Sequence, residues 1–167
     1  MLRRFMAPMF FCAAALLGLA SAGAARADTP SARADTPSAR ADTPLPLELN
    51  KLEPLTQGEA GCRVYFVVTN PDAETIGQLR LDLILFGTDG VILRRIALDL
   101  GPLTAKKTGV RLFDLQNLAC DSIGRVLVND VLACHAGDKP GGNAEQERAA
   151  CLDRLTLSSR TKVPLAK

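Results

Sequence analysis

The sequence contains no tryptophan, one tyrosine and one histidine among 167 residues. Several classes of binding site therefore lack their usual side chains. Single-stranded nucleic acids and sugar rings are commonly bound by stacking on aromatic side chains. After residue 27 the aromatic side chains are Tyr65, Phe66, Phe86 and Phe113. Four scattered rings do not supply a stacking surface for either class of ligand.

The sequence also lacks a large excess of positive or negative charge. The formal net charge is +2, but residues 1–27 contain three arginines and no acidic residue. The rest of the chain has 17 basic and 18 acidic residues, and from Leu45 onward the numbers are 15 and 15. Electrostatic binding to nucleic acid or anionic lipid requires a basic surface field. The sequence therefore predicts neither of these partners.

Recognised catalytic motifs are missing as well. There is no Gly-x-Ser-x-Gly elbow for a nucleophile, no Cys-x-x-Cys pair and no glycine-rich phosphate loop that leads into a helix. Carboxylates can perform acid–base catalysis when they converge, and the candidates for such a site are Asp114, Asp121 and Asp130. We expect a protein that is not an enzyme and has no cofactor, and we keep this carboxylate site as an alternative.

The N-terminal segment has the parts of a secretory signal peptide. A basic start, Arg3-Arg4, precedes an apolar run over 5–22, and the small-residue exit Ala25-Arg26-Ala27 follows. We predict that residues 1–27 are the signal peptide and that cleavage leaves a periplasmic protein without a membrane span. Cleavage after Ala22 is one alternative. An uncleaved anchor is another, because the run is near the lower length limit for a span.

Residues 28–44 repeat a short polar unit. Ala-Asp-Thr-Pro-Ser-Ala-Arg occurs at 27–33 and at 34–40, and Ala-Asp-Thr-Pro recurs at 41–44. The seven-residue period does not indicate a coiled coil, because each unit contains proline and none has an apolar seam. We predict a disordered linker, with a recognition segment as the alternative.

From Leu45 onward short apolar runs alternate with turn residues, which predicts an all-β domain over 45–167. In the third run the leucines at every second position, from Leu79 to Leu85, indicate a strand with one buried face. The seven predicted strands are 45–55, 62–69, 79–86, 91–100, 107–115, 123–132 and 155–163. This number of strands and turns is typical of a seven-stranded antiparallel, immunoglobulin-like sandwich. Asn143 as N-cap, with Gln146 three residues later, predicts one short helix over 144–151.

Four cysteines remain after residue 27, namely Cys62, Cys120, Cys134 and Cys151. In an exported protein they are expected to form disulfides, with three connectivities available. Cys120 and Cys134 flank the sixth strand, so about 14 residues at roughly 3.3 Å each keep them apart. If each connection reverses direction, the second and sixth strands begin at the same end of the sandwich. We therefore predict the pairs Cys62–Cys120 and Cys134–Cys151.

Two blocks of the sequence carry a resemblance. The segments Cys62-Arg-Val-Tyr-Phe-Val-Val-Thr-Asn70 and Leu79-Arg-Leu-Asp-Leu-Ile-Leu-Phe86, followed by Asp89-Gly90-Val91, resemble small immunoglobulin-like domains of bacterial envelope proteins. From Gly61 to its end the chain also resembles uncharacterised alphaproteobacterial exported proteins that are labelled only by a twin-arginine signal. The resemblance implies a fold and a compartment, and no reaction. Antibody-type domains differ, because they carry a tryptophan on the third strand.

These observations favour a non-enzymatic periplasmic accessory or protein-binding module. If the leucines of the third strand face the core, Ile84 and Phe86 face outward beside Leu100 or Leu112. Such an apolar patch would contact another envelope protein or a second copy of the chain. The alternative is a small-ligand or metal-handling protein that uses His135 and the polar 135–150 loop, with cysteines completing a Cys₃His set.

Overall fold

The computed structural model describes residues 43–56 and 60–167. The predicted signal peptide, 1–27, and the predicted linker up to residue 42 lie outside this part. The strands are β1 Leu45–Pro54, β2 Gly61–Asn70, β3 Ile76–Gly87, β4 Ile92–Asp99, β5 Lys107–Gln116, β6 Ile123–Ala136, β7 Leu155–Ser159 and β8 Leu165–Ala166. An α-helix, α1, spans Ala144–Arg154, and a 3₁₀ turn spans Cys120–Ser122. Within the described residues no helix is long and apolar enough to cross a membrane.

Two four-stranded sheets form the domain. Sheet A has the strand order β5-β2-β1-β7 and sheet B the order β4-β3-β6-β8. Period-two leucines supply the core faces of both sheets, because alternate side chains from Leu45 to Leu49 of β1 and from Leu79 to Leu85 of β3 are fully or almost fully buried. The core between the sheets includes Leu47, Leu49, Phe66, Leu81 and Leu83. The predicted all-β fold with one short helix is confirmed.

The prediction of seven strands in purely antiparallel sheets is wrong at the end of the chain. The predicted last strand, 155–163, is two strands, because the chain leaves sheet A after Ser159 and enters sheet B at Leu165. Ser159 Oγ donates to the Val163 carbonyl at 2.7 Å and stabilises this crossing. Both late strands lie parallel to their neighbours, β7 to β1 and β8 to β6.

Helix α1 begins where the N-cap pattern predicts. The Asn143 side chain accepts hydrogen bonds from the N–H groups of Glu145 and Gln146. The helix continues to Arg154, three residues beyond the predicted end. A buried ion pair holds this extra turn, since Arg154 Nη2 lies 2.8 Å from Asp72 Oδ1. Arg154 Nε also donates to the Thr43 carbonyl at 2.8 Å, which attaches the last residues of the predicted linker to the domain.

Two disulfides lie at opposite ends of β6. Cys62 pairs with Cys120 at a Cα–Cα distance of 4.9 Å, and Cys134 pairs with Cys151 at 6.4 Å. This is the connectivity that the strand order predicts. The first pair links β2 in sheet A to the segment that enters β6 in sheet B. The second pair links the end of β6 to α1, so both disulfides join elements that the backbone ladder does not join.

Candidate functional site

The predicted partner residues Ile84 and Phe86 lie on the outer face of β3 and are half-buried. Ile84 lies between Arg95 of β4 and Leu127 of β6 in the strand register. The guanidinium carbon of Arg125 lies 4.2 Å from the centre of the Phe86 ring. The two side chains are therefore partly covered by their own strand neighbours.

The predicted neighbours of these residues are wrong. Leu100 is fully buried in the core, and Leu112 belongs to β5 in sheet A. Alternation along a strand indicates which residues share a face, but it does not say which sheet a strand joins. The residue that pairs with Phe86 across the hairpin is Ile92.

Three consecutive apolar residues that lead from the turn into β4 are exposed instead. Their exposed fractions are 61% for Val91, 59% for Ile92 and 40% for Leu93. We name these three residues and Phe86, which pairs with Ile92, the hairpin patch. Sequence reasoning placed 91–100 in a strand and missed this surface. The available signal was the run of three apolar residues directly after the turn.

The turn and a bulge place the hairpin patch in solvent. Gly90 has φ = 82°, a conformation that glycine adopts without a Cβ clash, and its N–H donates to the Gly87 carbonyl at 2.9 Å. Leu85 pairs with Arg94 whereas Phe86 pairs with Ile92, so Leu93 is the extra residue of a β-bulge. The bulge interrupts the alternation of β4 between Ile92 and Arg94.

Two charged side chains lie beside the hairpin patch. The Arg125 guanidinium covers Phe86 on the outer face of sheet B, and Asp89 in the turn supplies an acidic group. In the described part of the chain Arg125 forms no ion pair with a carboxylate. Arg94 pairs with the core-facing Leu85 and turns toward sheet A, where its Nη1 donates to the Gln116 carbonyl at 2.8 Å.

Sheet B also carries a buried carboxylate on its outer face. Asp82 has a side chain that is 3% exposed, and it accepts two hydrogen bonds from Arg95, at 2.7 and 3.0 Å. A bulge in β6 adds the amide of Asn129, whose Nδ2 donates to Asp82 Oδ2 at 2.6 Å. Hydrogen bonds from Arg95 and Asn129 hold the pKa of Asp82 below its ordinary value although burial acts in the opposite direction. This carboxylate is an ionised structural group.

The structure does not assemble the three carboxylates of the enzymatic alternative. Asp114 lies in sheet A and forms a two-bonded ion pair with Arg63, at 2.7 and 2.8 Å. Asp130 lies in sheet B, and Asp121 lies in the 3₁₀ turn beside Cys120. The Arg63 guanidinium also holds the pKa of Asp114 below its usual range.

His135 lies on β6 and not in a loop, which corrects the predicted loop at 135–150. The strand continues to Ala136, and α1 occupies most of the segment after residue 143. The imidazole is half-buried, and its Nδ1 lies 3.1 Å from the Gly137 carbonyl oxygen. The sulfur atoms of the proposed Cys₃His set are consumed in disulfides. Across residues 43–56 and 60–167 no three His, Cys, Asp or Glu side chains form a group that could hold a metal ion.

A second exposed apolar surface lies on sheet A. Val110 and Leu112 of β5 are 52% and 51% exposed, beside the half-buried Tyr65 and Val67 of β2. We name these four residues the β5 face. The Arg63–Asp114 ion pair lies at one end of this face, and a hydrogen bond of 2.8 Å between the hydroxyls of Thr69 and Thr108 lies at the other.

Comparison with family models, with curated proteins and with solved structures finds no match for this chain.

Proposed function

We propose that this chain is an exported, non-enzymatic protein-binding module of the periplasm and that it binds its partner through the hairpin patch. The observation that carries the proposal is the exposure of the consecutive residues Val91, Ile92 and Leu93 on the β3–β4 hairpin. Burying a large aliphatic side chain stabilises a complex by roughly 1.5–3 kcal/mol. Contiguous exposed apolar side chains of this kind mark interaction sites.

The compartment is supported by two independent features. The N-terminal sequence has the order of charge, apolar run and small residues that export signals share. The four cysteines of the folded part are joined in two disulfides, which persist in oxidising compartments such as the periplasm. The two disulfides would keep the β-sandwich domain folded outside the cytoplasm.

The chemistry of the surface defines the partner. A complementary protein would offer a shallow apolar depression for Ile92 and its neighbours, with a carboxylate at the rim to meet Arg125. Rim charges mainly affect the association rate and its salt dependence, whereas the buried apolar contacts determine the dissociation rate. We therefore expect an association rate that falls as the ionic strength rises.

Site-specific photo-crosslinking in the native host would test the proposal. A photoreactive phenylalanine analogue at Ile92 should give a discrete adduct with one envelope protein. The same analogue at Thr156, an exposed position on β7 in sheet A, should not give that adduct. Arg125→Glu should reduce the adduct at Ile92, whereas Lys139→Glu in an exposed loop should leave it unchanged.

Two results would contradict the proposal. One is the same set of adducts from Ile92 and Thr156, which would indicate nonspecific collisions. The other is an adduct with lipid in place of protein, which would assign the hairpin patch to the membrane surface. Mass spectrometry of the purified adduct separates these cases, since a protein partner adds far more mass to the chain than a lipid does.

A further inference from the structure

The side of the sandwich between β4 and β5 has no strand pairing. β4 is the edge strand of sheet B and β5 the edge strand of sheet A, and within the described residues no backbone hydrogen bond joins them. Ile96 of β4 and Phe113 of β5 are half-buried and line the same small apolar gap between the sheets. We name the space between the two edge strands the side seam. Apolar contact closes its middle but does not fix the strands in direction, because hydrophobic attraction is non-directional.

An arginine on the core side of each edge strand faces the side seam. Arg94 of β4 pairs with the buried Leu85, and Arg111 of β5 pairs with the buried Phe66. Paired residues of adjacent strands share a face of the sheet, so both arginine side chains start from the core face. Both residues are half-buried, and in the part of the chain that the structure describes neither forms an ion pair with a carboxylate. Their donors must therefore reach other polar groups.

The two arginines cross the side seam in opposite directions. Arg94 Nη1, from sheet B, donates to the Gln116 carbonyl of β5 at 2.8 Å. Arg111 Nε, from sheet A, donates to the Leu100 carbonyl at 2.7 Å, and its Nη2 donates to the Pro102 carbonyl at 2.9 Å, just beyond the end of β4. Hydrogen bonds with a charged donor are stronger than those between neutral groups. One arginine thus fastens the seam beside the hairpin patch, and the other fastens it at the far end of β4.

The Arg94 end of β4 is also the end at which its pairing with β3 is interrupted. β3 is the ladder neighbour of β4, and the bulge at Leu93 disrupts this ladder between Ile92 and Arg94. On the turn side of the bulge, the Gly87 N–H donates to the Val91 carbonyl at 2.7 Å and closes the hairpin. Arg94 gives this half of β4 a hydrogen bond to an element other than β3. It does so at the first residue after the hairpin patch.

We propose that Arg94 is a positioning residue for the hairpin patch, and that it holds the patch by fastening the bulged half of β4 to sheet A. Arg111 fastens the other end of the side seam and does not act on the patch. The inference rests on the proposed function in that it takes the hairpin patch as the binding surface. A patch that is held in one orientation loses less conformational freedom when a partner binds, which favours affinity.

Hydrogen exchange at two backbone amides of the purified, oxidised protein tests this division of roles. The Gly87 N–H reports on the patch end, and the Leu100 N–H, which donates to the Leu79 carbonyl at 2.9 Å, reports on the far end. Arg94→Met keeps an apolar stem and removes the donor, so exchange at Gly87 should be about tenfold faster or more while Leu100 is unchanged. Arg111→Met should have the reverse effect. Faster exchange at both amides in both variants would indicate a general loss of stability and would overturn the proposal.

Photo-crosslinking relates the exchange result to binding. With the photoreactive analogue at Ile92, Arg94→Met should reduce the yield of the partner adduct several-fold, whereas Arg111→Met, the matched control, should leave it unchanged. Circular dichroism checks that both variants are folded. A folded Arg94→Met protein with the wild-type exchange rate at Gly87, or with the wild-type adduct yield, would overturn the positioning role. If wild type gives no adduct at Ile92, the proposed function fails, and exchange at Gly87 and Leu100 still decides whether Arg94 holds the patch.

Discussion

At the scale of single residues, the buried carboxylate of Asp82 lies on the outer face of sheet B. Its strand neighbours Leu81 and Leu83 are buried on the core face, as the period-two leucines of β3 predict. Asp82 lies between them, points to the other face and is also buried. Its burial depends on Arg95 from one neighbouring strand and on a bulge at Asn129 in the other. Neither contact leaves a periodic trace in the sequence, because each depends on the strand order.

Asp82 should contribute to a fall in stability at acid pH. Its pKa in the folded state is below the ordinary aspartate value of about 3.9. The ionised form is therefore favoured by folding. The stabilisation is fully present above about pH 4 and is lost as the pH falls through the lower, folded-state pKa. Asp82→Asn should lower the free energy of unfolding near neutral pH and flatten its decline below pH 4, as measured by urea unfolding across pH.

The partner variant provides the control for this pH dependence. Arg95→Met leaves the Asp82 carboxylate buried without its main donor, so it should also lose stability near neutral pH. Part of the acid decline should remain in both variants, because Glu53 and Asp114 on sheet A also have lowered pKa values. An Asp82→Asn protein with the wild-type decline below pH 4 would contradict the assignment.

At the scale of elements, local signals were sufficient where the element is defined by its own residues. The N-cap at Asn143 and the Asp89-Gly90 turn both lie where the sequence predicts them. The split of the last strand at Ser159 could not be predicted, because parallel pairing with β1 and β6 depends on strands that are distant in the sequence. The bulge at Leu93 is a local feature of the β3–β4 hairpin, and the run of three apolar residues after the turn was the signal for it that sequence reasoning missed.

Gly77 shows a constraint that is visible only in the assembled sheet. A Cβ on Gly77 would lie 1.5 Å from the Gly137 carbonyl oxygen, where β3 begins against the end of β6. Gly77→Ala must therefore separate the two strands at this end. We expect a loss of about 2–4 kcal/mol in the free energy of unfolding, a size typical of backbone strain and a disrupted ladder. Guanidinium unfolding monitored by circular dichroism measures it.

Gly141 gives the matched control for Gly77. A Cβ at this position would meet Glu147 Oε1 at 3.6 Å, which is an ordinary contact. Gly141→Ala should change the free energy of unfolding by less than about 0.5 kcal/mol. Equal losses from the two substitutions would show that the close approach of β3 to β6 at Gly77 does not constrain the fold.

At the scale of the whole molecule, the positions of the cysteines predict the disulfide connectivity, whereas the sequence does not predict the interaction surface. Cysteines at the two ends of one strand cannot pair with each other, so strand direction alone assigns both disulfides. An interaction surface follows from which apolar side chains remain uncovered after the sheets have packed. Val91 and Val110 look like core residues in the sequence and are exposed in the fold.

The two disulfides should differ in their contribution to the stability of the whole domain. Cys62–Cys120 spans 58 residues and Cys134–Cys151 spans 17. In the chain-entropy model the longer loop is worth about 4 kcal/mol and the shorter about 3 kcal/mol. Cys62→Ala with Cys120→Ala should therefore lower the free energy of unfolding more than Cys134→Ala with Cys151→Ala. Each pair of substitutions is the control for the other, since both remove two sulfur atoms and leave no free thiol.

Because the two disulfides lie at opposite ends of β6, their effects should add to within about 0.5 kcal/mol in the protein that lacks both. Urea unfolding of the three variants measures this, and a greater loss from the shorter loop would contradict the entropic account.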